Sequence, residues 1–220
     1  VRSELKRNPD LARAGNETGD TALHHAAQNA HTEMVELLLA AGANPDAARG
    51  DGHRPIHCAL KPNWLMHVQR PAADAIADLL IARGAEYTVY IAALRGDIAF
   101  VEREVRRDAS LATAEDSCHH RPLSAAARRN DVAMTRLVLD HDGDPAHPEE
   151  GAPRGLAFWI AVNERNQEIA QLLLEHGADP NGTVDSAGTP MHHAHKQPAM
   201  LELLRRHGGR EESGGNDYLG

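Results

Sequence analysis

The chain has 220 residues, a net charge of −9 and 41% hydrophobic residues, a length that would ordinarily mean one or two domains. Its acidity gives nucleic acid and anionic lipid no bulk attraction. Aromatic residues make up only 3%, so a core must be built from Ala and Leu, which suits thin layers of short helices. No apolar run approaches the roughly 18 residues of a membrane span, and no secretory signal pattern stands at the start.

In chain order, Val1 to Arg7 reads as a helix that ends at Asn8-Pro9-Asp10-Leu11-Ala12. Thr21 to Ala30 is predicted as a short helix opened by a hydroxyl residue able to cap free backbone N–H groups. Glu33 to Ala41 follows as a second helix. Its Met34, Val35, Leu37, Leu38 and Leu39 form a broad apolar face that neighbours must cover. Gly42 ends that helix in a left-handed conformation, and Ala43-Asn44-Pro45-Asp46 leads out into a turn. Truncating Leu38 to Ala should cost on the order of 2–5 kcal/mol.

The skeleton of this pair then recurs. Thr21-Ala22-Leu23-His24, Ala26-Ala27, Leu37-Leu38-Leu39 and Gly42-Ala43 return as Arg54-Pro55-Ile56-His57, Ala59, Leu79-Leu80-Ile81 and Gly84-Ala85. A further copy holds Arg121-Pro122-Leu123-Ser124, Ala126-Ala127, Leu137-Val138-Leu139 and Gly143. Leu172-Leu173-Leu174 with Gly177-Ala178 belongs to another, and Thr189-Pro190-Met191-His192, Ala194, Leu203-Leu204 and Gly208 form the last.

This pattern closely resembles the ankyrin family, whose period is about 33 residues with a T-P-L-H-x-A signature. The resemblance covers nearly the whole chain. It implies an all-α fold, an ankyrin-repeat solenoid of stacked helix-turn-helix units with short hairpin loops. One array over 1–209 is expected: a half unit at 1–13, full units at about 16–47, 49–86, 87–113, 116–147 and 154–181, a terminal unit at 186–209, and a flexible tail at 210–220. The unit Tyr87–Asp97, with its second helix Ile98 to Arg107 and its ending Asp108-Ala109-Ser110-Leu111, is similar to a variant common in bacterial ankyrin proteins that often begins a new block. Val1 to Ala12 has the same ending without a preceding first helix, and no initiator Met stands at Val1, so a fragment of a longer protein is expected in preference to an undercapped N-terminus.

The function implied by the resemblance is a non-catalytic protein-interaction module with no cofactor, and a reducing, cytoplasmic setting is the default expectation from the cysteines. Cys58 and Cys118 fall in separate repeats and, at roughly 10 Å per helix layer, should lie too far apart for a disulfide. By resemblance, His24, His57 and His192 brace backbone between adjacent repeats. The remaining members of the 15 histidines invite a metal-dependent or catalytic alternative. His53-x-x-x-His57 and His192-x-x-His195 have helical ligand spacing, but no carboxylate or cysteine stands in the accompanying places. No H-E-x-x-H, G-x-S-x-G or Walker A pattern occurs. Histidines near a binding face would make association sensitive to pH between about 5 and 8.

The family's contacts come from hairpin tips and from a residue pair near the end of each first helix, facing a concave groove. Those pairs are Gln28-Asn29, Lys61-Pro62, Leu94-Arg95, Arg128-Arg129, Asn163-Glu164 and Lys196-Gln197. Lys61, Arg95, Arg128, Arg129 and Lys196 bring positive charge to them, against Glu164 alone on the acidic side. The hairpin position before each first helix holds Asp20, His53, Glu86, His120, Gly155 and Gly188. A locally basic groove suited to an acidic or phosphorylated protein or peptide is expected. The competing expectation is that Arg128 and Arg129 pair with Asp131, Asp116 or Glu115. Neither nucleic acid nor membrane is expected as a partner.

Two irregular segments add candidates. The insertion Lys61 to Pro71, with Pro at both ends, carries Trp64, which either anchors a partner or folds back to seal the stack. The longer hairpin His147 to Gly155 carries Glu149, Glu150 and Arg154 and is expected as a solvated finger tip able to touch a partner. Trp159 stands just beyond it, at the register where other repeats hold a histidine.

Overall fold

The computed structural model describes residues 2–60, 73–149, 152–183 and 188–211. It is helical, and the described residues contain no strand, only two isolated backbone bridges. The chain divides into two compact units, Val1–Thr88 and Val89–Gly220, and the boundary falls inside the variant stretch Tyr87–Asp97.

The first unit holds α1 (Arg2–Arg7), a 3-10 turn (Pro9–Ala12), and the pairs α2 (Ala22–Gln28) with α3 (Thr32–Ala40) and α4 (Pro55–Leu60) with α5 (Ala73–Ala82). The helix expected from Thr21 to Ala30 is thus shorter, with Thr21 as its N-cap and Ala30 in the left-handed region at φ 56°. That residue turns the chain by reversing the sign of φ, which no helix can continue through. Gly42 closes α3 at φ 88°, the conformation that favours glycine. Leu23, Val35, Leu38, Ile56, Ile76 and Leu80 are almost wholly buried and form the core of this unit. The insertion with Lys61 and Trp64 lies outside the described residues.

The second unit repeats the plan as α6 (Val89–Arg95) with α7 (Ile98–Arg107), α8 (Pro122–Arg128) with α9 (Val132–Asp140), α10 (Ala157–Asn163) with α11 (Gln167–Glu175), and α12 (Pro190–His193) with α13 (Pro198–Arg206). First helices pack on first helices, α6 on α8 and α8 on α10, while α7 lies beside α9 and α9 beside α11. Close stacking needs small side chains, and Ala92, Ala93, Ala125, Ala126, Ala127 and Ala161 supply them, each at most 1% exposed. The second helices α7, α9 and α11 begin with a side-chain cap. Asp97, Asp131 and Asn166 each accept the N–H three residues on, at 2.9–3.1 Å. The ends of α9, α11 and α13 share a device that the sequence pattern did not announce. His141, His176 and His207 donate Nδ1–H to the carbonyls of Leu137, Leu172 and Leu203 at 2.8–3.0 Å, covering acceptors that a helix end leaves open. A histidine directly after each of these three helices was the available signal.

Candidate interaction surface

The candidate residues are positioned by how the first helices begin and end. At the start of α2 the Thr21 N–H is given to His24 Nδ1 at 3.2 Å, and the Thr21 hydroxyl lies 2.9 Å from the same nitrogen. An accepting Nδ1 leaves the proton on Nε2, which lies 3.3 Å from the His53 carbonyl in the next hairpin. Burial lowers the pKa of His24 below its ordinary 6.5, outweighing the opposing hydrogen bond to His53 and the Asp20 charge. His57 takes the Arg54 N–H in the same way at 3.0 Å. His192 does not fit the bracing role. Its ring is exposed and touches the rings of His193 and His195, and among the described residues no carbonyl of another repeat meets it. The His53 and His57 rings meet edge to face at 5.9 Å.

α8 begins differently. Ser124 stands where His24 stands in α2, and its side chain is too short to reach the opening N–H. Glu149 Oε2 supplies the acceptor instead, taking the Arg121 N–H at 3.0 Å and the Ser124 hydroxyl at 2.7 Å. His120 Nδ1 lies 3.6 Å from the same oxygen. Arg121 Nε donates to the Pro148 carbonyl at 3.0 Å, and the Arg121 guanidinium also reaches the Thr113 carbonyl. Glu149 is therefore 8% exposed, not the solvated tip its charged neighbourhood implied. Two buried donors draw it inward, and a buried carboxylate survives only when so paired. Nearby, burial pushes the Cys118 thiol up to about 12 and raises the Tyr90 phenol, so neither is ionised near neutrality. Cys58 and Cys118 are both buried thiols outside any disulfide.

The ends of α6, α8 and α10 form a row in the second unit. Each is followed by a left-handed corner, Gly96, Asn130 and Arg165 respectively. Arg95, Arg128, Arg129, Asn163 and Glu164 all sit in this row. Arg128 and Arg129 are neighbours with different surroundings. Arg129 Nη1 donates to the Leu94 carbonyl at 3.0 Å, tying α8 to the end of α6. Gln197 does the same to the Val162 carbonyl at 3.2 Å. Arg128 is exposed and makes no ion pair among the described residues. The expected pairing with Asp131 is not seen, because Asp131 caps α9. Glu115 lies instead beside His119 and Arg121.

The other candidates are dispersed. Asp20 is half-buried, with its Oδ2 3.2 Å from His25 Nε2. His53 Nδ1 lies 3.4 Å from Asp51. Gln28 and Asn29 are exposed at the end of α2, where Asn29 donates to the His25 carbonyl at 2.9 Å. Arg154 is exposed but paired with Asp179, whose carboxyl it helps to hold below the usual range: hydrogen bonds from Asn181 and Arg154 together outweigh the upward pull of burial.

Helix pairs turned by left-handed corners and stacked through alanine faces define a repeat protein whose exposed helix ends and hairpins are available for contact. The ankyrin repeat family model matches residues 18–49, and the model for three copies of the ankyrin repeat matches residues 89–184. The chain belongs to the ankyrin repeat family. It is 29% identical to Ankyrin repeat and SOCS box protein 16 of Mus musculus over 79% of this chain and 40% of that protein. The protein of the same name in Homo sapiens is 29% identical over 96% of this chain and 41% of its own length. Ankyrin repeat and KH domain-containing protein mask-1 of Caenorhabditis elegans is 25% identical over 82% of this chain and 7% of that protein. The chain thus spans 41% of these relatives' length at most. Ankyrin repeats are generally protein–protein interaction modules and typically non-catalytic. Among the described residues no helix is long and apolar enough to cross a membrane.

Proposed function

We propose that this chain is a recognition module that binds an acidic or phosphorylated protein segment along the row of helix ends in its second unit. Arg128 is the principal contact. The observation that carries this reading is the division of labour between the adjacent arginines: Arg129 is spent on the Leu94 carbonyl, whereas Arg128 is exposed without an ion pair among the described residues. A guanidinium presented in this way matches the planar, two-oxygen geometry of carboxylate and phosphate. Arg95 at the end of the neighbouring helix adds positive charge, and Asn163 offers amide hydrogen bonds on the other side. Glu164 limits how far an acidic segment extends toward α10. The hairpin residues His120 and Arg154 of the same unit form the outer contacts.

The test is a titration of fluorescent peptides (acidic, phosphorylated, neutral and basic, otherwise matched) into the whole chain and its Arg128→Glu variant. The acidic or phosphorylated peptides should bind the wild type, weaken as salt rises, and lose at least about tenfold in affinity with the variant. Equal binding of neutral and acidic peptides, or unchanged affinity in the variant, defeats the proposal.

A further inference from the structure

In the first unit, α1 and α3 flank a cleft of about 880 Å³. Its two walls are single helical faces of opposite charge. α1 presents Arg2, Leu5 and Lys6, and α3 presents Glu33, Glu36 and Leu37, each set spaced three and four residues apart. Leu5 is buried and Leu37 half-buried along the floor, while the four charged side chains are exposed. No ion pair among the described residues engages any of the four. Basic and acidic walls thus face the same opening without neutralising each other across it.

We infer that this cleft is an interface between two copies of this chain, related by a two-fold axis that runs along the cleft. The charge pattern selects both the occupant and the axis. An isologous contact places the same patch on both partners, so it needs a self-complementary surface, and two positive charges opposite two negative charges satisfy that condition. Rotation about an axis along the cleft sets α1 of one copy over α3 of the other. Arg2 and Lys6 then meet Glu33 and Glu36 twice, once in each direction. Rotation about an axis across the cleft sets α1 over α1 and α3 over α3, and like charges oppose that arrangement. The floor of Leu5 and Leu37, small in area, is covered in the same step.

The dimer is expected to be weak, since exposed ion pairs contribute little each and a net charge of −9 on each copy works against association. Half-association at tens of micromolar is the order of magnitude. Salt screens both the local attraction and the overall repulsion, so charge exchange is the sharper test. Sedimentation equilibrium would be run on the whole chain, on a basic variant (Glu33→Lys with Glu36→Lys) and on an acidic variant (Arg2→Glu with Lys6→Glu). All four positions are exposed, and retained helicity would be checked by circular dichroism.

The wild type should self-associate, each variant alone should do so at least about tenfold more weakly, and an equimolar mixture of the two should form a heterodimer. A wild type that stays monomeric at several hundred micromolar, on the order of ten times the expected midpoint, overturns the inference and leaves the cleft to another occupant. Dimers that persist in both variants overturn it too, by placing the interface elsewhere. A mixture of two folded variants that remains monomeric contradicts the proposed pairing. None of these outcomes bears on the proposed peptide site, which lies on other residues.

Discussion

The first helices of the two units solve one problem in two ways. In α2 and α4 the opening backbone N–H is taken by a histidine three residues on, a local answer written within one repeat. At α8 the acceptor is Glu149, 28 residues downstream, which takes the Arg121 N–H directly and the Ser124 hydroxyl beside it. The donor is the same orphan that every helix start leaves behind. What differs is the dependence: α8 cannot be satisfied unless the following hairpin is in place. A repeat stabilised locally survives the loss of its neighbour better than one that borrows a buried carboxylate from it.

The largest way to break this contrast is to displace the hairpin. Gly155 lies at φ 90°, and a Cβ there would sit 1.9 Å from the Pro145 carbonyl oxygen. Gly155→Ala therefore combines left-handed strain with a backbone clash and should destabilise the second unit by about 3 kcal/mol or more in urea unfolding. Next comes the carboxylate itself. Glu149→Ala strands the Arg121 N–H and the Ser124 hydroxyl and should cost about 2–3 kcal/mol, while Glu149→Gln, whose amide oxygen still accepts, should recover part of it.

The local solution has its own signature, in pH. Burial lowers the pKa of His24 in the folded state, so below 6.5 the unfolded chain binds the proton more readily than the folded one. The stability His24 supports is complete above its ordinary pKa of 6.5 and is lost as pH falls through that value toward the lower folded one. The protection factors of the α2 amides, with the intrinsic pH dependence of exchange divided out, should therefore fall on acidification from pH 7.5 to 5.5, about one unit either side of the ordinary pKa, and the dependence should flatten in His24→Gln. The smallest expected effect lies at the corners. The first unit has Ala30 at φ 56° where the first corner of the second has Gly96 at φ 75°. Ala30→Gly should raise stability by about 0.5–1 kcal/mol, read as an increase in Tm.

The repeats were legible because their cores are. Leucine triplets, alanine pairs and closing glycines recur at fixed offsets, and burial forces those residue types wherever helices stack. Ile98–Arg107 formed as expected although it lacks the leucine triplet, with Val101 and Val105 buried in its place. The helix from Thr21 stopped two residues early because its corner is made by Ala30, a residue with no compositional mark of a left-handed turn. The role of Glu149 was hidden by its setting. Beside Pro148, Glu150 and Gly151 it reads as solvated, and nothing adjacent reveals that Ser124 lacks the reach of a histidine. The clue existed one repeat away, in a serine at the histidine position before an unusually long hairpin. The two arginines at the end of α8 were equally visible and identical in type. Only the backbone of α6 separates them, by placing the Leu94 carbonyl within reach of Arg129.

That separation is the centre of the functional account, and one paired measurement tests it most directly. Arg128→Glu and Arg129→Ala would each be followed by chemical unfolding and by titration with the same acidic peptide. Arg128→Glu should leave the unfolding free energy within about 0.5 kcal/mol of the wild type while binding falls at least about tenfold. Arg129→Ala should lower stability by about 1 kcal/mol through the lost bond to Leu94. Wild-type affinity in Arg128→Glu, with the instability confined to that same variant, would contradict the assignment of recognition to Arg128 and bracing to Arg129.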